Sequence, residues 1–481
     1  MLRFFVRAMR RRLRHVKEIV GGPHQHRRMS LIAQPIPNLA AAARAPAPCC
    51  LASPAPRYTA YPTADRFVEE FGPEDLQYAL QQRANGAVVG GCAPLAIHVG
   101  VPSTCRPART ANYLQALGTE MSLAASMLGA ARVVSRLNLG GPALMRLSRS
   151  ELSRLVGLAR ELFCFEGVPR MRMEVDARTA AEGGLAHLRQ LGCTELVVDM
   201  PLDTGAAFAG GLETVLRLVA SAHRLGIGIA AVRLRSCAAV QAGNALQDVL
   251  ARLACARPER IALPSVAAPP RGDDRPRPCS HEPGEAPSLR GATFDDASEW
   301  LEAAGYVPVG LEEFALRTDA LAIARAQGRL FLGLAGFDDT PCADLIALGA
   351  GAVGQVGASY YQNLADVADY EGAVARGRLP VARGLALARD DLARRSVIHA
   401  LLCQGRVEFE SIRLAHLIDP KAHFAQELAE MSSLAEAGLV AMDDEAIELT
   451  AQGRRSASAV AAIFDRYRRA RARRNQCAAL L

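Results

Sequence analysis

The chain has 481 residues, half of them hydrophobic and 22% charged, with a formal net charge of +7. That length suits two or three domains with cores of their own, and the composition excludes a wholly disordered chain. No uninterrupted run of about 20 apolar residues occurs, so nothing here reads as a membrane-spanning helix.

In chain order, residues 1–56 read as an N-terminal extension, first basic and then rich in alanine and proline. Arg3, Arg7, Arg10, Arg11, Arg12 and Arg14 come before the first acid, Glu18. Such a start resembles an organellar transit peptide, but reads first as a frame extended upstream of Met29 or as a disordered basic tail. Pro35, Pro37, Pro46, Pro48, Pro54 and Pro56 make the following stretch a linker. Residues 57–94 form an arm. From 95 to 315, short apolar runs alternate with amphipathic stretches. Expected strands are Leu95–Val99, Val133–Leu139, Arg170–Val175, Glu195–Met200, Ile227–Leu234 and Arg260–Pro264. Helices are expected at Thr110–Leu128, Ser148–Phe163, Leu185–Leu191 and Leu212–Leu225. Six strand–helix units predict an α/β fold with a parallel sheet, right-handed crossovers and an open, partial barrel.

A proline-rich, charged loop at 264–293 interrupts the pattern, followed by a helix at Phe294–Ala304 and an extended stretch at Tyr306–Phe314. Residues 316–388 read as a connecting segment packing on the barrel. The last part, 389–481, reads as a helical, winged-helix-like domain. Its helices are expected at Asp390–Cys403, Pro420–Ala437 and Gln452–Arg469, with a hairpin at Leu439–Leu449 around Asp443-Asp444. Modules of that kind often bind DNA, and the tail adds Arg466, Arg468, Arg469, Arg471, Arg473 and Arg474; a terminal basic helix is also a common solvated face. Net charge alone does not indicate a nucleic-acid partner.

The twelve cysteines form no C-x-x-C pair, which excludes zinc-ribbon and thioredoxin-like motifs. Scattered in this way they read as small buried hydrophobes in a reducing compartment, hence a cytoplasmic location.

Several segments carry a family resemblance. Arg57-Tyr58-Thr59-Ala60-Tyr61-Pro62-Thr63-Ala64, Leu95-Ala96-Ile97-His98, Leu137-Asn138-Leu139-Gly140-Gly141-Pro142 and Met173-Glu174-Val175-Asp176 follow one another at compatible spacing. Gly310-Leu311-Glu312-Glu313-Phe314-Ala315, the apolar Leu345–Gly354 and Gly384-Leu385-Ala386-Leu387-Ala388-Arg389-Asp390-Asp391 continue the order. Together they resemble the oxygen-independent coproporphyrinogen III oxidases, the haem-pathway members of the radical SAM family, from about residue 57 to 470. The resemblance implies a partial (β/α)6 radical-SAM-type barrel with the winged-helix-like C-terminal domain and a monomeric state. It also implies decarboxylation of two propionates of coproporphyrinogen III to give protoporphyrinogen IX. The cofactors implied are a [4Fe–4S] cluster and S-adenosyl-L-methionine.

The cluster motif itself departs from the pattern. Where relatives write C-x3-C-x2-C, this chain reads His98-Val99-Gly100-Val101-Pro102-Ser103-Thr104-Cys105-Arg106-Pro107-Ala108-Arg109. Cys105 stands as a remnant cluster ligand or as an ordinary thiol, and Cys92 lies 13 residues upstream. Gly140 and Gly141 keep two glycines of the cofactor-binding turn, with Pro142 in place of the third. Glu174 stands where relatives contact the nucleoside. Arg233 and Arg235 share one face of a strand, since side chains alternate. They suit the carboxylates of a porphyrin or porphyrinogen, or point outward at the barrel rim. A lone His98 at a strand end reads as structural, and His281 beside Cys279 lacks further metal ligands.

The function these residues support is that of a degenerate, cluster-less relative acting by porphyrin binding or regulation. An active oxidase with unusual ligation and a DNA-binding regulator stand as alternatives.

Overall fold

The computed structural model describes residues 58–86, 94–131, 133–176, 182–202, 206–236, 243–264, 291–340 and 344–468. The extension at 1–56, most of the loop at 264–293, Cys92, Cys279, His281 and the arginines from Arg469 onward therefore lie outside the described residues.

Six strands run parallel: β1 (Leu95–Gly100), β2 (Val133–Gly140), β3 (Cys164–Asp176), β4 (Glu195–Leu202), β5 (Gly228–Ser236) and β6 (Arg260–Ala262). They pair in chain order, with Ile97 beside Leu137, Leu137 beside Met171, Met173 beside Leu196, and Asp199 beside Arg233. At the β6 edge the chain turns back antiparallel through β7 (Tyr306–Gly310) and β8 (Glu313–Leu316). A small antiparallel pair, β9 (Phe331–Gly333) and β10 (Gly336–Asp338), comes next.

The segment 316–388 does more than pack on the barrel. Its β11 (Leu345–Leu348) adds a seventh parallel strand on the other side of β1, with Ile346 beside Ile97. Strands β12 (Val353–Val356), β13 (Ser359–Asn363) and β14 (Val381–Ala386) extend the sheet antiparallel. Twelve strands thus form one sheet whose outermost members, β14 and β7, are not paired with each other among the described residues. The result is an open α/β partial barrel.

Helices fill one face because alternate strand residues are apolar. Leu95, Ile97 and Val99 of β1, Met171, Met173 and Val175 of β3, and Leu196, Val198 and Met200 of β4 are buried in one core. Leu117 and Met121 of the helix Thr110–Leu128 and Leu155 and Val156 of the helix Arg149–Leu162 join them there. Each such side chain contributes about 1.5–3 kcal/mol by leaving water. The second helix starts at a capping box, where Ser148 Oγ accepts from the Glu151 N–H at 3.3 Å and Glu151 accepts from the Ser148 N–H at 2.8 Å.

The C-terminal part packs in a second core that it shares with Tyr58 and Tyr61 of the arm and with Val309, Leu321, Leu332 and Phe337 of the segment before it. Helices Arg389–Gln404, Phe409–His416 and Ala425–Glu436 pack with a three-stranded sheet of β15 (Arg406–Glu408), β16 (Val440–Met442) and β17 (Ala446–Leu449). The hairpin turns at Asp443, whose carboxylate accepts the Glu445 and Ala446 N–H groups at 2.8 Å. This is the winged-helix arrangement, with β15 and the helix Phe409–His416 added to the elements read from sequence. The helix expected at Pro420–Ala437 divides into Pro420–His423 and Ala425–Glu436. That expected at Gln452–Arg469 is replaced by the short helices Ala451–Arg455 and Ala457–Ala461 and a 3-10 turn at Ala462–Phe464. The Arg466 guanidinium turns inward to Asp390 at 2.8 Å and to Asp391 at 3.1 Å.

Candidate functional site

The side chains that do not enter the core line the opposite, concave face, and many of them are charged. At its lower end, Arg136 pairs with Asp338, and Arg170 donates to Asp339 at 2.8 Å. Arg172 pairs with Glu195 at 2.8 Å and Arg260 with Asp319 at 3.0 Å. Burial works against ionisation of Glu195, yet Arg172 and then Arg260 outweigh it and hold the carboxyl below its ordinary value. Unpaired charges on this face would cost several kcal/mol each, so the acids on neighbouring elements are what permit the arginines.

At the C-terminal ends of the strands a second set meets. Gly140 ends β2, and a Cβ built there would fall 2.6 Å from Glu174 Oε2 and 3.1 Å from His98 Cε1, so the carboxylate and the imidazole already fill that space. Gly141 has φ +98°, and a Cβ there would fall 2.4 Å from the Val101 carbonyl oxygen. Only glycine allows the turn to sit so close to the loop that follows β1. The Gly141 N–H points to Glu174 Oε2 at 3.4 Å.

Glu174 Oε1 also lies 3.1 Å from Arg233 Nη2, and Arg233 Nε donates to Asp199 Oδ1 at 2.6 Å. Arg235 Nη2 donates to the other Asp199 oxygen at 2.7 Å. Arg233 and Arg235 thus do share a face, bridged by one carboxylate on the adjacent strand. Burial opposes ionisation of Asp199, and Arg233 followed by Arg235 overcomes it, keeping the carboxyl below its ordinary value. His98 is held neutral: burial lowers its pKa, opposed by Glu174 and reinforced by Arg233. Asp199 was not among the residues singled out from sequence. The same alternation that joined Arg233 to Arg235 would have found it on β4, given the strand pairing.

Cys105 does not join this group. It is buried, 3% exposed, in the same core as Tyr113. Burial pushes its thiol pKa up, against a hydrogen bond with Thr110. Its loop is held by Arg146, which donates to the Ser103 and Cys105 carbonyls at 3.1 and 3.3 Å. Arg109 pairs with Glu371 at 2.5 Å. A cubane with an open position for a ligand needs about three thiolates converging on one iron site. Val101-Pro102 and Ala108 offer no donor of that kind, and no three His, Cys, Asp or Glu side chains are grouped to hold a metal among the described residues. The residues present do not fit that cluster. No described helix is long and apolar enough to cross a membrane.

No family model matches the chain. Among curated proteins, it is 28% identical over 433 residues to the oxygen-independent coproporphyrinogen III oxidase of Pseudomonas aeruginosa, covering 86% of this chain and 93% of that relative. The protein of the same name from Escherichia coli is 29% identical over 440 residues, covering 88% of this chain and 94% of the relative. A solved structure, the coproporphyrinogen III oxidase from Escherichia coli described as a radical SAM enzyme, matches with a TM-score of 0.75 at 28% identity. That match covers 85% of this chain and 97% of the other.

Proposed function

We propose a function within the family to which this chain belongs, the oxygen-independent coproporphyrinogen III oxidases. The protein takes a carboxylate-bearing tetrapyrrole of haem synthesis into the mouth of its partial barrel and acts by binding it, or by regulating an active relative, rather than by radical decarboxylation. One observation carries this reading. The loop Val101–Arg109 holds a single thiol, Cys105, and that thiol is buried in the core. Radical chemistry begins with reductive cleavage of S-adenosylmethionine on a cluster, and one thiolate does not retain a cubane.

Arg233 and Arg235 are the groups placed to receive propionates, and Arg235, with its side chain 49% exposed, is the outermost. Gly140, Gly141 and Glu174 are read as remnants of the relatives' cofactor turn, and here Glu174 and His98 lie against Gly140 and the Val101 backbone against Gly141. The test is iron and acid-labile sulfide per chain after anaerobic reconstitution, with Cys105→Ala alongside. Negligible iron in both proteins is the expected result. About four irons per chain, lost in the variant, would restore the active oxidase.

A further inference from the structure

We infer that Asp199 is an internal stand-in for a ligand carboxylate, occupying the fork between Arg233 and Arg235 until an anionic group displaces it. The inference rests on the proposed reading of this mouth as a site for a carboxylate-bearing tetrapyrrole.

Two arginines at i and i+2 of β5 project to the concave face, and Asp199 is the register partner of Arg233 on β4. Its two oxygens are used one apiece, Oδ1 by Arg233 Nε at 2.6 Å and Oδ2 by Arg235 Nη2 at 2.7 Å. A carboxylate bridging two guanidinium groups by charge-assisted hydrogen bonds is the geometry an incoming propionate would need.

Glu174 and Asp199 balance Arg233 and Arg235, and Asp176, the register partner of Asp199 on β3, adds a further acid at this end of the strands. An anion approaching the mouth therefore meets no net positive charge while Asp199 holds the fork. The contacts are graded with depth. Arg233 is also tied to Glu174, and its buried Nη2 lies 3.1 Å from that carboxylate without hydrogen-bond alignment. Arg235 has Asp199 as its acid partner and has the more exposed side chain, 49% against 33% for Arg233. Exchange of carboxylates thus starts at Arg235. Its first step gives up the more exposed ion pair, at Arg235, and full displacement also gives up the Arg233 pair, which the incoming carboxylate must replace.

The exchange makes Asp199 a determinant of affinity and selectivity. Ligands with several carboxylates compete with it, whereas singly charged ones gain too little. Removing its charge while keeping its shape leaves the fork with a surplus positive charge and unfilled donors.

The experiment is a fluorescence titration of coproporphyrin III with the full-length wild type, Asp199→Asn, Arg235→Ala and the double variant, at low and high ionic strength. Circular dichroism checks the fold of each. Asp199→Asn is expected to bind about tenfold more tightly, the worth of roughly one charge-assisted hydrogen bond. That gain shrinks in high salt. Arg235→Ala binds more weakly, and in its background the asparagine adds nothing. If Asp199→Asn binds no better while Arg235→Ala still weakens binding, Asp199 only positions the arginines. The inference then falls and the tetrapyrrole reading stands. If all four proteins bind alike, or none binds, both fall.

Discussion

The Tyr58 hydroxyl donates to Asp465 Oδ2 at 3.0 Å, joining the arm before the barrel to the last turn of the C-terminal part across 407 residues of sequence. Tyr58 is fully buried, and the same carboxylate accepts the Tyr467 and Arg468 N–H groups at 3.0 and 3.2 Å. Tyr61 adds to this contact, its hydroxyl accepting the Arg466 N–H at 3.3 Å. Tyr58→Phe keeps the ring in place and removes one donor from a buried acceptor that retains two others. We expect it to cost about 1–2 kcal/mol, read as a lower denaturant midpoint at unchanged slope. An unchanged midpoint would mean the hydroxyl contributes nothing to holding the arm.

A second prediction concerns Glu120, buried on the helix Thr110–Leu128. It accepts hydrogen bonds from the Gly349 N–H at 2.8 Å, Asn363 Nδ2 at 2.7 Å and the Tyr370 hydroxyl at 2.5 Å. Burial outweighs these three donors and raises the carboxyl from 4.5 to about 7. The folded state therefore holds its proton more tightly than the unfolded chain. Between pH 4.5 and 7 the unfolded chain has lost that proton and the native state keeps it, so this group's contribution to stability falls as pH rises. Against Glu120→Gln, which does not titrate, the wild type should lose about 3 kcal/mol across that window and then level off. Denaturant unfolding of both proteins from pH 4.5 to 8 measures the difference. A flat difference would show that the carboxyl titrates near its ordinary value.

Much of the barrel was legible because its signals are local. The helix at Thr110–Leu128 has the bounds its amphipathic pattern predicts, and the six parallel strands lie where the apolar runs do. What escaped depends on which strands become neighbours. Leu345–Leu348 is a four-residue apolar run that reads as a loop. It becomes a strand by pairing with β1, about 250 residues earlier in the chain. The acids Asp338, Asp339 and Asp319 gain meaning only when β2, β3 and β6 bring Arg136, Arg170 and Arg260 to them, in that order. In the site, Arg233, Arg235, Glu174 and Gly140 were visible as residues, and the structure brings them into one group. Asp199, which links them, was not, because its role follows from tertiary placement, whereas Cys105 lies in the core as the reading of the scattered cysteines expects.

The turn at Gly141 gives a third prediction. With φ +98° and its absent Cβ directed 2.4 Å from the Val101 carbonyl, Gly141→Ala must strain the backbone or push back the loop that follows β1. A cost of about 1–3 kcal/mol is expected. Gly157 supplies the contrast. It sits mid-helix in Arg149–Leu162 with nothing within 4 Å of an added Cβ. Gly157→Ala should stabilise by about 0.5–1 kcal/mol. Thermal unfolding should move in opposite directions for the two variants, and a shared direction would refute the close approach at Gly141.

The concave face gives the last prediction, in which burial decides the magnitude. Arg136 and Asp338 pair with side chains 5% and 9% exposed, and Asp338 also accepts the Thr340 N–H at 3.0 Å. Arg413 and Glu410 form a pair of comparable quality at 2.7 Å, but both side chains are 59% exposed. Water solvates the second pair whether or not it forms, so Glu410→Ala should leave the unfolding midpoint where it is. Asp338→Ala removes the carboxylate paired with a buried guanidinium, with Asp339 4.0 Å from Arg136 Nη2, and should cost about 3–5 kcal/mol. Replacing both partners by apolar residues, Arg136→Met with Asp338→Leu, should recover most of that loss, because no buried charge is then left uncompensated. If the double variant is as unstable as Asp338→Ala, the pair stabilises this end of the barrel by more than the neutralisation of Arg136, and the aspartate's hold on the Thr340 turn becomes the larger effect.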